Sequence, residues 1–172
     1  MSFLDKALSL ADRVRAPRTA HAHCDIPCGI YDPHYAQVAA LTVVRMVQLI
    51  QALPFPGPGG EKDAVDTYAM QSSRYSTVKE EHAALCEREL TIFWTDYFKP
   101  EHLEKHGNLH DVFWKTMKLT STVKQAVNMD ASQQLLAGCQ QIAEIFWDTK
   151  GVATKRIPSN QGAAGGEFVV PA

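Results

Sequence analysis

Asp130-Ala131-Ser132-Gln133-Gln134-Leu135-Leu136-Ala137-Gly138-Cys139-Gln140-Gln141-Ile142-Ala143-Glu144-Ile145-Phe146 is the stretch that decides the fold. Leu135, Cys139, Ile142 and Phe146 step by four, three and four residues. That spacing places them on one helical stripe, the seam of a bundle. Asp130 is a candidate N-cap, with Gln133 at the reciprocal position of a capping box. Gly151 follows as the stop. Working back, Leu109 to Val127 reads as a third helix, separated from its predecessor by Gly107-Asn108. A long second helix fits Asp63 to Tyr97, with Val65, Tyr68, Tyr75, Val78, Leu85, Ile92 and Phe93 turned inward. Lys99-Pro100 breaks it. The first helix opens with Asp32 as cap and Pro33 in its first turn. It runs to about Leu53, its turns marked by Tyr35, Val38, Leu41, Arg45 or Met46, and Leu49. Pro54-Phe55-Pro56-Gly57-Pro58-Gly59-Gly60 ends it. Four helices with short links predict an all-α protein, an antiparallel four-helix bundle over residues 32–150.

The chain has 172 residues, enough for one domain, with 45% hydrophobic and 21% charged residues and a net charge of −2. This balance gives no basic field for nucleic acid. No apolar run approaches the ~18 residues of a membrane span. Residues 1–22 lack the apolar core of a secretory signal, because Asp5, Lys6, Asp12 and Arg13 interrupt it. They read as a short amphipathic helix with Phe3, Leu4, Ala7, Leu8 and Ala11 on one face, followed by a linker. A cytoplasmic location is expected. Residues 151–172 are rich in Gly and Ala and are expected to be an extended or mobile tail, with Phe168, Val169 and Val170 able to dock on a neighbour.

The chemistry concentrates in His23-Cys24-Asp25-Ile26-Pro27-Cys28-Gly29-Ile30-Tyr31. Two thiols four residues apart beside an imidazole fit a disulfide or a zinc half-site on spacing alone. Ala20-His21-Ala22 just before them is a small-x-small triplet of the kind processing proteases cut after. A cut after Ala22 frees the His23 α-amine. That amine, the Cys24 backbone nitrogen and the Cys24 thiolate then close adjacent five-membered rings. Pro27 and Gly29 let the chain fold back so that the Cys28 thiolate completes a plane. The His23 imidazole can take an axial position. A planar N/S set suits Ni(II) or Cu(II) better than zinc, which wants a tetrahedron.

These residues, continuing into Asp32-Pro33, resemble the amino-terminal nickel hook of the nickel-containing superoxide dismutases. Phe93-Trp94-Thr95-Asp96-Tyr97-Phe98-Lys99-Pro100 is similar to a second block of that family. So are His102-Leu103-Glu104-Lys105 with Leu109-His110, and Ile145-Phe146-Trp147-Asp148-Thr149-Lys150. Together the blocks span residues 23 to 150 in the family's order. The resemblance implies a superoxide dismutase that cycles one nickel ion per subunit between Ni(II) and Ni(III), releasing O2 and H2O2. It implies His23, Cys24 and Cys28 as nickel ligands in a hook over residues 23–31. Asp25 organises the hook, Tyr31 gates the open axial face, Tyr97 hydrogen-bonds near Tyr31, and Lys99 steers the anion. Residues 1–22 are then a pro-segment removed by a maturation protease, and the assembly a homohexamer. The chain departs from the family at two positions: a carboxylate on the first helix is replaced by Ala39, and an arginine on the second by His82.

Other residues read as structural. Cys86 and Cys139 lie on apolar stripes and fit buried small hydrophobes. His102, His106 and His110 are spaced by four, but Gly107-Asn108 interrupts any continuous ladder. Trp94, Trp114 and Trp147 fit core or subunit contacts, and Glu80-Glu81 a solvated face. Two rival functions share the hook residues. One is a non-catalytic metal-binding helical bundle; the other is a thiol oxidoreductase cycling Cys24 and Cys28 as a disulfide.

Overall fold

The computed structural model describes residues 29–172. The pro-segment, the cut after Ala22 and the hook residues His23, Cys24, Asp25 and Cys28 lie outside the described residues. The chain divides into two units, Met1–Ile30 and Tyr31–Ala172. Of the first, Gly29 and Ile30 are described. Gly29 sits at φ +89°, a left-handed turn that glycine adopts without strain. Ile30 is exposed.

The second unit is built on four long helices: α1 (His34–Gln51), α2 (Lys62–Ile92), α4 (Leu109–Gln125) and α5 (Met129–Thr149). A one-turn helix α3 (Pro100–Lys105) lies between α2 and α4. Helix α1 packs on α2 and α5, and α4 packs on α5 and α2, so the four close a ring around one core. The expected bundle is therefore present. No helix among the described residues is long and apolar enough to cross a membrane.

The seam of α5 is as expected: Leu135, Cys139, Ile142 and Phe146 are all buried. The cap is not. Asn128, two residues upstream of Asp130, is the N-cap, and its side-chain oxygen accepts the Ala131 N–H at 3.0 Å. Asp130 lies in the first turn, where its carboxylate accepts from the Gln134 amide at 2.6 Å. At the start of α1, Asp32 accepts the His34 N–H at 2.8 Å, and Pro33 occupies the cap position itself.

Two helices bury faces that match the expected ones only in part: Leu41 and Phe93 are buried as expected, and other positions are not. In α1 the buried stripe runs through Ala36, Ala40, Val43 and Val47, while Tyr35 and Val38 face outward. Small residues carry this contact because they let neighbouring backbone come close, and a reading weighted by side-chain size looks one step around the helix. In α2 the buried residues are Lys79, Ala83, Cys86 and Leu90, while Val65 and Leu85 are exposed. Lys79 explains the offset. The residue is 2% exposed, and its ammonium donates to the carbonyls of Val123, Lys124 and Ala126, at the end of α4. It thereby satisfies carbonyls that a helix terminus leaves without intrahelical partners. Positive charge also suits the negative end of the α4 dipole. Burial holds its pKa below the usual lysine range, opposed by the Glu80 carboxylate.

Cys86 and Cys139 meet across α2 and α5 with their sulfurs 3.4 Å apart, both as free thiols. The neighbouring Cys86 thiol and burial together push the Cys139 thiol well up. Cys139 is thus kept protonated, and the two buried side chains act as small core hydrophobes, as expected.

The tail is extended, and it is folded into a hairpin. Strands β1 (Thr154–Pro158) and β2 (Glu167–Pro171) pair antiparallel, with Ile157 opposite Phe168. Phe168 and Val169 dock on their own bundle and are buried. Gln37, fully buried on α1, extends the sheet with its side chain. Its oxygen accepts the Val169 N–H at 2.7 Å and its amide donates to the Val169 carbonyl at 3.0 Å. On α5, Gln140 donates to the Glu167 carbonyl at 2.7 Å, and Arg156 of β1 reaches Glu144 at 2.8 Å. The outer edge of β2 is therefore covered rather than left open for pairing.

Candidate active site

At the end of α2 the backbone widens into one π-helical turn, Phe93–Tyr97, closed by the Phe98 N–H on the Phe93 carbonyl at 3.0 Å. Such turns insert one residue and re-aim the side chains around them. Here Phe93 points into the core and Tyr97 sits half-buried beside it. Tyr31, also half-buried, packs against both: ring centroids are 5.3 Å apart for Tyr31 and Tyr97, and 6.1 Å for Tyr31 and Phe93. The two tyrosines that the sequence pairs are thus neighbours in space. Phe146 from α5 floors the cluster, 4.6 Å from Tyr97 and 5.2 Å from Phe93. His102 stacks on Tyr97 at 5.6 Å with an interplanar angle of 19°.

Tyr97 also meets α5. Its phenol oxygen is 2.6 Å from Thr149 Oγ1, at the end of α5. That helix end is fixed by a Schellman motif. The Val152 N–H returns to the Trp147 carbonyl, and the Gly151 N–H to the Asp148 carbonyl, both at 3.0 Å. Gly151 supplies the required positive φ, +68°. The stop signal read at Gly151 therefore also positions Thr149 and Lys150 against Tyr97. The Lys150 ammonium lies 5.5 Å from the Tyr97 ring centre and 5.0 Å from that of Phe146. Neither Thr149 nor Lys150 stands out in the sequence as a site residue. Their signal was present in the block Ile145 to Lys150, but nothing in its spacing ties it to Tyr97.

Lys99 is exposed and begins α3. Its N–H donates to His102 Nδ1 at 3.1 Å. It borders a hollow of about 220 Å³ with Trp94, Phe98 and Leu103. His106 and Lys105 both meet the Asp148 carboxylate, at 2.8 Å and 2.7 Å, tying α3 to α5. The Lys105 hydrogen bond holds the Asp148 carboxyl below its usual range. The tie is therefore complete above the ordinary carboxylate pKa and is lost as pH falls through the lowered one. His110 faces Trp94 edge-on at 4.7 Å. The three histidines thus have separate partners. Among the described residues no three His, Cys, Asp or Glu side chains form a metal-holding group.

Both departures from the family pattern lie within the described residues. Ala39 is buried in the core. His82 Nδ1 lies 2.9 Å from the Val78 carbonyl, which can only accept, so that nitrogen carries a proton spent on its own helix.

The profile of the nickel-containing superoxide dismutases matches residues 18–150. The nickel superoxide dismutase of Streptomyces coelicolor is 36% identical over 142 residues, covering 82% of this chain and 98% of its own. That of Streptomyces seoulensis is 34% identical over 142 residues with the same coverage. A native structure of a nickel superoxide dismutase superposes with a TM-score of 0.63 at 33% identity, covering 74% of this chain and 99% of the other. The chain belongs to the nickel-containing superoxide dismutase family. The matched span ends at residue 150, so the C-terminal hairpin lies beyond it.

Proposed function

We infer that this protein disproportionates superoxide, two anions and two protons giving O2 and H2O2, at one nickel ion per subunit. Family membership across residues 18–150 is the observation that carries this reading. The ligand set we propose is His23, Cys24 and Cys28. Its chemistry fits nickel, because two thiolates with nitrogen donors form the tetragonal field that Ni(II) favours. Solved variants of a related enzyme alter a histidine, an aspartate and a tyrosine at its first, third and ninth residues. His23, Asp25 and Tyr31 have that same spacing. This supports a mature chain that starts at His23, released by a protease acting after Ala22.

Nickel held by His23, Cys24 and Cys28 would supply a one-electron couple for the disproportionation. The chain's own residues do the rest. Cys24 and Cys28, as thiolates, donate charge and lower the potential. Asp25 holds the hook's backbone. Tyr31, packed on Tyr97 and Phe93, presents a phenol that admits a diatomic anion and excludes bulkier ones. Lys99 and Lys150 put positive charge on the approach of an anion, an effect that weakens with salt. We place the protein in the cytoplasm, away from membranes, and assembled as a homohexamer. Trp114, 65% exposed beside a hollow of about 420 Å³ shared with Trp94, Phe113 and Met117, is the kind of apolar surface that a subunit contact covers.

The test is metal-resolved. Purified protein is expected to carry about one nickel per chain and to dismute superoxide, with the rate tracking nickel content across preparations. Zinc- or copper-loaded protein that matched the rate would overturn the assignment. Activity without any metal would favour the thiol oxidoreductase reading instead.

A further inference from the structure

Thr149 Oγ1 makes two short contacts, each 2.6 Å: one with the Phe146 carbonyl and one with the Tyr97 phenol. A threonine hydroxyl has one proton, and a carbonyl can only accept. The Thr149 proton is therefore spent on Phe146. That carbonyl lies in the last turn of α5, where acceptors lack their full set of helical N–H partners. It follows that Tyr97 must donate to Thr149. The chain of donation runs Tyr97 to Thr149 to the Phe146 carbonyl.

We propose that Thr149 is a positioning residue for the dismutation site, fixing the direction in which Tyr97 donates its phenol proton. Tyr97 then has only lone pairs left to offer the groups around it, Tyr31 being among its neighbours. It acts as an acceptor that orients a proton-bearing group beside it, and it is not itself a proton source for the reduced anion. The Schellman turn at Gly151 keeps this arrangement rigid, and the packing of Phe146 under Tyr97 holds the ring in register. This inference rests on the proposed function only in giving Tyr97 a part in the reaction.

The experiment uses nickel-loaded, full-length-expressed enzyme and four variants: Thr149→Val, Thr149→Ser, Tyr97→Phe and the double Tyr97→Phe/Thr149→Val. Rates are normalised to nickel content. Loss of one neutral hydrogen bond predicts about a 5-fold fall in the dismutation rate constant for Thr149→Val. Thr149→Ser keeps the hydroxyl and should restore the wild-type rate. The double variant should be no slower than Tyr97→Phe alone, an outcome that a merely structural role would not give. A second readout is independent of activity. The tyrosine Fermi doublet in ultraviolet resonance Raman separates donating from accepting phenols. It should change in Thr149→Val, not change in Thr149→Ser, and show no Thr149 dependence once Tyr97 is Phe. A slowed Tyr97→Phe with a wild-type rate or unchanged doublet in Thr149→Val overturns the role of Thr149 alone. An unaffected Tyr97→Phe overturns both it and the part given to Tyr97 in the proposed function.

Discussion

Cys24→Ser and Cys28→Ser should each abolish dismutation and leave the purified protein without stoichiometric nickel. The reason lies in the donor. A thiolate is soft and forms near neutral pH, whereas a serine hydroxyl stays protonated and hard, so the substitution removes a ligand and its charge together. It also removes the donation that lowers the potential. Residues that only support a ligand typically cost 10–100-fold when changed. Loss of the ligand itself should exceed that range. Elemental analysis and a superoxide decay assay on the same samples check both halves. A serine variant that kept its nickel and its rate would remove that cysteine from the site.

Phe146→Ala should produce the largest loss of stability. Phe146 is fully buried and touches Phe93, Tyr97 and Trp147. Truncating a buried phenylalanine costs about 3–5 kcal/mol, from lost transfer energy and the cavity left behind. Against a total of about 5–15 kcal/mol for a domain, that is a large share. Urea or thermal unfolding of the nickel-loaded enzyme measures it. The same change removes the floor under Tyr97, so activity per nickel should fall in the fraction that stays folded. A shift below about 1 kcal/mol would mean that the aromatic cluster does not hold the core together.

How much of this was legible depends on how local each signal is. The seam of α5 could be read because its periodicity is carried by large residues on one helix, and all four are buried. The face of α1 could not, because Ala36 and Ala40 make the contact and a buried Gln37 reaches a strand 132 residues away in the chain. Lys79 is a charged residue in a core position; nothing at position 79 announces the helix end that it serves 44 residues later. The tail illustrates the same limit. Glu167-Phe168-Val169-Val170 has strand-forming residues, but its partners on α1 and α5 are chosen by the tertiary fold.

The site divides in the same way. The proposed ligands and Tyr31 are visible as a motif, and the pairing of Tyr31 with Tyr97 follows from the family resemblance. The hydrogen-bond partner of Tyr97 was not visible. It depends on the π turn that ends α2 and on the Schellman turn that ends α5, two backbone details that bring Tyr97 and Thr149 together across 52 residues.

The claim at the centre is that a freed His23 amine joins two cysteine sulfurs in holding nickel. Intact mass of the active, nickel-bearing species tests it most directly. The account predicts a chain beginning at His23. Fully active nickel protein whose mass still includes residues 1–22 would contradict it.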